Sequence, residues 1–403
     1  MDRIYKEVIE EHLKEDTQMV FLAGARQVGK TTLAKETTSL TNHFQYFNWD
    51  NLAHREQIIY NANGIFESLN LEKISKKMPI VVFDEIHKYK KWKSLIKGLY
   101  DTYRERARIV VTGSAKLNIY NKSGDSLMGR YFLYRIHPFS VGEIIHKKAP
   151  NDYFLRKPVP VKQSQMDRLL EFGGFPDPFL KKGKRYYHKW QLLRREQLFK
   201  EDIREITRVQ DLGLMEVLYQ LLQEQAGQLL SYTELSKKLK LTSPTIKKWI
   251  SILEELYYCF KVKPWHKNIT RALIKEPKLY LYDWSQVKDK GQRIENFVAS
   301  HLLKAIHFWV DNGLGEFDLF FLRDKDKREV DFLITKDNKP WILIEVKSSE
   351  NKALSDSLKY FQEQIKAPFA IQLAYDMPHQ EFDFRKLKRP MILPMSSFLS
   401  QLP

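Results

Sequence analysis

Residues 24–31 read Gly-Ala-Arg-Gln-Val-Gly-Lys-Thr, which is the pattern G-x-x-x-x-G-K-[ST]. The chemistry that this spacing serves is the capture of a phosphate chain. Gly24 and Gly29 let the backbone turn tightly, so that successive N–H groups aim at one anion. Gln27, Val28 and Thr32 fill the remaining loop and helix-start positions. The N-terminus of a following helix would add its partial positive charge. Lys30 is placed to reach β- and γ-phosphates, and Thr31 to offer a hydroxyl to Mg²⁺.

A second group lies some fifty residues on, where Pro79-Ile80-Val81-Val82-Phe83 ends in Asp84-Glu85. Two carboxylates at the C-terminal end of a buried strand have separable tasks. Asp84 would hold Mg²⁺, directly or through water. Glu85 would act as general base on the attacking water. A third apolar run, Ala107 to Ser114, ends in hydroxyl residues. Thr112 or Ser114 could hydrogen-bond the water or the γ-phosphate, or simply close the strand. Arg130 precedes the strand-like Tyr131-Phe132-Leu133-Tyr134-Arg135. An arginine there could reach a neighbouring subunit's nucleotide, or pair locally on its own surface.

The C-terminal part carries another constellation. Glu329–Ile334 alternates as a strand, Asn338 and Pro340 mark a turn, and Ile342–Lys347 returns. Period-two geometry puts Glu345 and Lys347 on one face, and strand pairing brings Asp331 to the same place. Two carboxylates can hold Mg²⁺ while a lysine orients water. Glu295, on an amphipathic helix, would supply a third carboxylate. The alternative is a set of cross-strand ion pairs without chemistry.

The elements that must position these groups follow from the same patterns. Met19-Val20-Phe21-Leu22-Ala23 reads as a buried strand and Thr32-Leu33-Ala34-Lys35-Glu36 as a helix, giving strand–loop–helix around the phosphate loop. At 403 residues, 43% apolar and 13% aromatic, the chain is long enough for two or three packed domains. The single cysteine, Cys259, excludes an internal disulfide and a cysteine-cluster metal site. There is no 18-residue apolar run, and the first residues lack the layout of a signal peptide, so the expectation is a cytoplasmic protein with no membrane partner. The net charge is +17, and it is densest over residues 181–271, with 19 basic and 10 acidic side chains. That excess favours a polyanion such as DNA, or is a solvated lysine-rich surface. Within it, Thr233–Leu239 reads as a short helix, Leu241-Thr242 as a turn, and Ser243 as the cap of a second helix with Pro244 at its first position. Ile246, Trp249, Ile250, Leu253 and Leu256 form the buried stripe of that helix, with Lys247 and Lys248 off it. Tyr257–Val262 follows as a strand. This is winged-helix grammar, which serves DNA or protein partners.

Taken together, Gly24–Leu33, Phe83-Asp84-Glu85-Ile86-His87, Thr112-Gly113-Ser114, Gly129-Arg130, His137-Pro138-Phe139-Ser140 with Glu143, and Phe172-Gly173-Gly174-Phe175-Pro176 resemble the AAA-type bacterial and archaeal ATPases that carry the C-terminal domain of unknown function 4143. The resemblance implies a five-stranded AAA-like core, ATP and Mg²⁺ as ligands, Arg130 at the arginine-finger position, and a homo-oligomer. Glu295, Asp331, Glu345 and Lys347 are, in their order, similar to the core of PD-(D/E)xK nucleases, including Holliday-junction resolvase-like enzymes, with Val330 replacing the proline. The expected organisation is an α/β protein: an AAA-like P-loop ATPase domain over 1–140, a helical and winged-helix middle over 141–270, and a PD-(D/E)xK nuclease-like α/β domain over 271–403. The function expected is ATP hydrolysis coupled to a DNA-associated, metal-dependent nuclease-like domain. The alternative is an ATP-controlled switch or scaffold that binds DNA or protein without cutting, and a third reading is a protein remodeller without nucleic acid.

Overall fold

A computed structural model describes residues 3–69, 77–113, 127–146, 148–206, 211–266 and 276–403. The chain packs as two compact units, one of residues 1–137 with 146–149, the other of 138–145 with 150–403.

The first unit is built on a five-stranded sheet in the order β2-β3-β4-β1-β5. Its strands are β1 (Met19–Gly24), β2 (Phe44–Asn48), β3 (Ile80–Asp84), β4 (Arg108–Gly113) and β5 (Tyr131–Ile136), and every pairing is parallel. β1, β3 and β4 are buried at every residue. This is why their sequences read as continuous apolar runs rather than alternating ones. Met19, Phe21, Ala23, Val81, Phe83, Ile109 and Val111 share one core with Trp92, Ile96, Leu99, Tyr100 and Tyr103 of the helix Trp92–Tyr103. Parallel strands align their C-terminal ends, so Gly24, Asp84 and Gly113 finish at one edge of the sheet.

In the second unit, the middle and C-terminal parts of the sequence share a single seven-stranded sheet, β12-β11-β10-β9-β8-β6-β7. The strands are β6 (Cys259–Pro264), β7 (Lys278–Leu281), β8 (Phe317–Arg323), β9 (Glu329–Lys336), β10 (Lys339–Lys347), β11 (Phe369–Ala374) and β12 (Met391–Pro394). β6 pairs antiparallel with β7 and, through Lys263 and Pro264, parallel with β8. These ladders join β6 and β7 to the C-terminal strands in one sheet.

Local details depart from the sequence patterns for identifiable reasons. Thr242, not Ser243, caps the helix Ser243–Glu255, accepting from the Thr245 amide, with Pro244 inside the first turn. β6 starts at Cys259 rather than Tyr257, because Tyr257 takes a left-handed φ of 58° as it closes that helix. The β9–β10 turn lies at Asp337 and Asn338, with φ of 50° and 62°, and Pro340 is already in β10 at a register shift. Proline is tolerated where the ladder is irregular. Gly173 and Gly174 have the composition of a hinge, yet Gly174 is packed: a Cβ there would lie 2.5 Å from the Phe139 carbonyl oxygen. Among the described residues, no helix is long and apolar enough to cross a membrane.

Candidate nucleotide site and C-terminal ion cluster

The phosphate loop joins β1 to the helix Lys30–Glu36, with Gly29 as its N-cap at a left-handed φ of 98°. A side chain at that position would be strained, and glycine avoids the cost. Gly24 is fixed by space: a Cβ there would lie 2.3 Å from the Ile136 carbonyl oxygen on β5. Lys30 is buried, and its ammonium donates to the carbonyls of Gly24 at 3.0 Å and Ala25 at 2.9 Å. The charge is therefore held inside the curl of the loop. Val28 is buried and Thr32 exposed. Arg3 donates to the Val28 carbonyl at 2.6 Å and to the His137 carbonyl, tying the loop to the end of β5. No motif in the sequence singles Arg3 out.

β3 delivers Asp84 beside this loop. Thr31 Oγ1 lies 3.0 and 3.2 Å from the two carboxylate oxygens of Asp84. Tyr46, at the middle of β2, and Thr112, near the end of β4, also donate to Asp84. Thr112 thus turns to the Asp84 carboxylate, and Ser114 lies outside the described residues. Tyr46 escapes sequence reading because only the β2–β3 pairing brings it there. Burial, followed by its hydrogen bond to Asp84, raises the Tyr46 hydroxyl above its ordinary range, so it remains a donor.

Glu85 follows in left-handed backbone, φ 58° and ψ 22°. Gln27, with φ 61°, is the other non-glycine residue with positive φ among the described residues of this unit. Both sit at the C-terminal edge of the sheet. Non-glycine residues in that region cost roughly 1–3 kcal/mol and cluster at functional sites. His87 Nε2 lies 3.7 Å from Glu85 Oε2. Burial lowers the His87 pKa below the ordinary imidazole value, so it faces Glu85 largely neutral. The hard oxygen donors Thr31 and Asp84, adjacent to the loop, fit Mg²⁺.

Arg130 precedes β5, where its carbonyl accepts from the Met19 amide at the start of β1. Its guanidinium grips Asp101 with two hydrogen bonds, 2.7 and 3.2 Å. It therefore lies at the edge of the sheet opposite the phosphate loop. Six residues of strand separate the two edges, about 20 Å at ~3.3 Å per residue.

In the second unit, the sequence-predicted residues Glu295, Asp331, Glu345 and Lys347 do come together. The Val346 amide donates to Asp331 Oδ2 at 2.8 Å, placing the end of β10 against β9. Lys347 Nζ pairs with Glu345 Oε1 at 2.7 Å. The cluster also holds residues that the sequence patterns miss. Lys278, from β7, reaches Glu329 at 2.7 Å, Glu295 at 3.1 Å and Asp331 at 3.6 Å. The Tyr280 hydroxyl donates to Glu295 Oε1 at 2.7 Å. Arg323 takes the other oxygen of Glu329 at 3.1 Å. Burial, then the charge of Asp331, raises both Glu295 and Glu345 above the usual carboxylate range. Glu345 Oε2 is buried without a hydrogen-bond partner. Among the described residues, no group of three or more His, Cys, Asp or Glu side chains is arranged to hold a metal ion. Of the expected Mg²⁺ ligands, Glu295 and Asp331 share the buried Lys278 and Glu345 is held by Lys347, so the donor set does not fit the metal.

The remaining basic residues of the middle segment divide between surface and interior. Lys247 and Lys248 are exposed on the helix Ser243–Glu255. Arg194 is turned inward, 3.6 Å from the Phe175 ring centroid and 3.3 Å from Asp283.

Residues 16–145 match the family model described as AAA domain, so the first unit contains an AAA-type ATPase domain. Residues 163–287 match domain of unknown function 8612, and residues 290–398 match domain of unknown function 4143. The chain is 23% identical over 382 residues to an uncharacterized protein of Haemophilus influenzae, covering 87% of this chain and 88% of that one. An uncharacterized protein of Mycobacterium tuberculosis is 21% identical, with 85% of this chain and 73% of that protein covered. Among solved structures, AMPPCP-bound DnaA from Aquifex aeolicus matches with a TM-score of 0.32 at 14% identity, covering 62% of this chain and 86% of that chain. PCH-2 of C. elegans matches with a TM-score of 0.25 at 14% identity, covering 62% and 64%.

Proposed function

We propose that this protein binds ATP with Mg²⁺, hydrolyses it between subunits of a homo-oligomer, and uses the cycle to control a DNA-engaging second unit. The observation that carries the ATPase reading is the convergence of Lys30, Thr31, Asp84 and Glu85 at one sheet edge, with Gln27 and Glu85 in strained backbone. On binding, Lys30 would exchange its two loop carbonyls for β- and γ-phosphate oxygens. Thr31 and Asp84 would hold the Mg²⁺, which neutralises charge developing on the phosphates. Glu85 would take the proton of the attacking water. Arg130 lies too far from its own loop for its side chain to reach it. A role on a nucleotide is then a role on a neighbour's nucleotide, and Asp101 is the partner it would leave. The test is direct. Lys30→Ala should lose ATP binding, whereas Glu85→Gln should keep binding and stop turnover. Wild-type hydrolysis by Glu85→Gln would assign the base elsewhere.

For the second unit, the switch reading is favoured over the nuclease reading by the lysine inside the carboxylate cluster. DNA contact is supported by exposed Lys247 and Lys248 in the most basic stretch of the chain. Replacing both with Glu should weaken binding across sequences, and wild-type affinity should fall steeply with salt. Unchanged binding by the double variant would exclude this helix as the contact.

A further inference from the structure

Four carboxylates, Glu295, Glu329, Asp331 and Glu345, meet at the junction of β7, β9, β10 and the helix Lys290–Asp311. Three cations answer them: Lys278 at the centre, with Lys347 and Arg323 on the flanks. Lys278 is unusual among these, because its side chain is only 4% exposed while its ammonium touches carboxylates from two different elements. A lysine is rarely buried unless such partners surround it. Tyr280 and the Val346 amide occupy further acceptor positions on Glu295 and Asp331.

We infer that the Lys278 ammonium is the resident cation of this cluster, standing where a divalent ion would bind, so that the second unit engages its partner without metal-dependent strand cleavage. Mg²⁺ needs near-octahedral oxygen ligands and keeps several waters. Here the central acceptors are spent on an ammonium, and a dication beside it would meet a like charge in a largely closed space. Lys278 comes from the hairpin of β6 and β7, whereas its partners come from the C-terminal strands and helix. The lysine therefore also clamps that hairpin to the sheet, which gives its burial a purpose that needs no catalysis. Glu345 Oε2, the buried cluster oxygen without a partner among the described residues, lies on a carboxylate whose other oxygen is held by Lys347, and a single such oxygen does not make a Mg²⁺ site.

The inference concerns the second unit alone, so its failure leaves the ATPase reading standing, and the converse holds as well. The test uses the full chain with Asp84→Asn, which silences the nucleotide-site carboxylate. Mn²⁺ binding is followed by electron paramagnetic resonance, and nicking of supercoiled plasmid is followed with Mg²⁺ or Mn²⁺. The expected result is no bound Mn²⁺ and no nicking. Adding Lys278→Met should create a Mn²⁺ site that Asp331→Asn removes again. The inference is overturned if the Asp84→Asn chain binds Mn²⁺ or nicks DNA and loses either property on Asp331→Asn. It is also overturned if a folded Lys278→Met chain gains no site. Should Lys278→Met fail to fold, the two measurements on the lysine-containing chain decide alone.

Discussion

Lys304→Met should destabilise the second unit more than almost any other single change in the helix Lys290–Asp311. Lys304 and Glu143 form an ion pair whose side chains are 2% and 0% exposed. The ammonium also donates to the Pro138 carbonyl at 3.1 Å, and His301 Nε2 accepts from the Val141 amide at 3.0 Å. These bonds fasten residues 138–145, the stretch that follows β5 and begins the second unit, onto the long helix. At an effective dielectric of 20, a contact pair gains about 5 kcal/mol, and desolvation of each ion takes back several. The intact pair is therefore nearly neutral, but removing one partner leaves a buried charge unanswered, at about 3–5 kcal/mol. The two units need not unfold together, so hydrogen exchange read by mass spectrometry on peptides from 290–311 is the appropriate assay. At about 1.4 kcal/mol per tenfold, exchange through opening of this helix should quicken between roughly a hundredfold and a few thousandfold. The double variant Lys304→Met/Glu143→Leu should regain most of the lost protection, because two well-packed apolar groups replace a desolvated pair. Acceleration below about tenfold in Lys304→Met, or a double variant exchanging as fast as the single one, would refute the reasoning.

Three further outcomes follow from the structure. Tyr46→Phe removes one donor to Asp84 and should weaken turnover by about 0.5–1.5 kcal/mol, visible as a higher Mg²⁺ requirement with Mg²⁺-free nucleotide affinity unchanged; an unaltered Mg²⁺ curve would make the contact incidental. Arg130→Ala should depress hydrolysis while sparing ATP affinity, and mixing it with Lys30→Ala should restore part of the activity; Asp101→Ala, which only frees the arginine, should leave turnover substantial, and loss of turnover there would point to a structural pair. Burial pushes His301 down to about 3 from 6.5, so the folded state binds its proton less readily than the unfolded one. Its contribution is fully present above pH 6.5 and is lost as pH falls towards 3, by up to about 5 kcal/mol; His301→Gln should flatten that part of the stability–pH curve for the second unit, and an unchanged slope would assign it to other groups.

The sequence by itself determined the nucleotide half well. A phosphate loop is local chemistry: the glycines, Lys30 and Thr31 lie within eight residues, and Asp84-Glu85 is marked by the apolar run before it. The fully buried parallel strands were legible because burial on both faces leaves no polar alternation. The pairing of β9 with β10, and with it the meeting of Asp331, Glu345 and Lys347, was legible from the period of two. Other features depended on residues far apart in the chain. Tyr46 and Thr112 reach Asp84 only through the strand order β2-β3-β4, and Arg3 reaches Val28 only once its segment docks. The opposite-edge location of Arg130 follows from the direction of β5, and its partner Asp101 comes from the helix Trp92–Tyr103. Lys278 shows the difference most clearly. In sequence it is one lysine among many in a basic chain; in the fold, β7 carries it into a carboxylate cluster assembled from a helix and two strands. Local spacing selects residues that can hold a metal, but only the tertiary structure decides whether the space between them is left to the ion or filled by an ammonium.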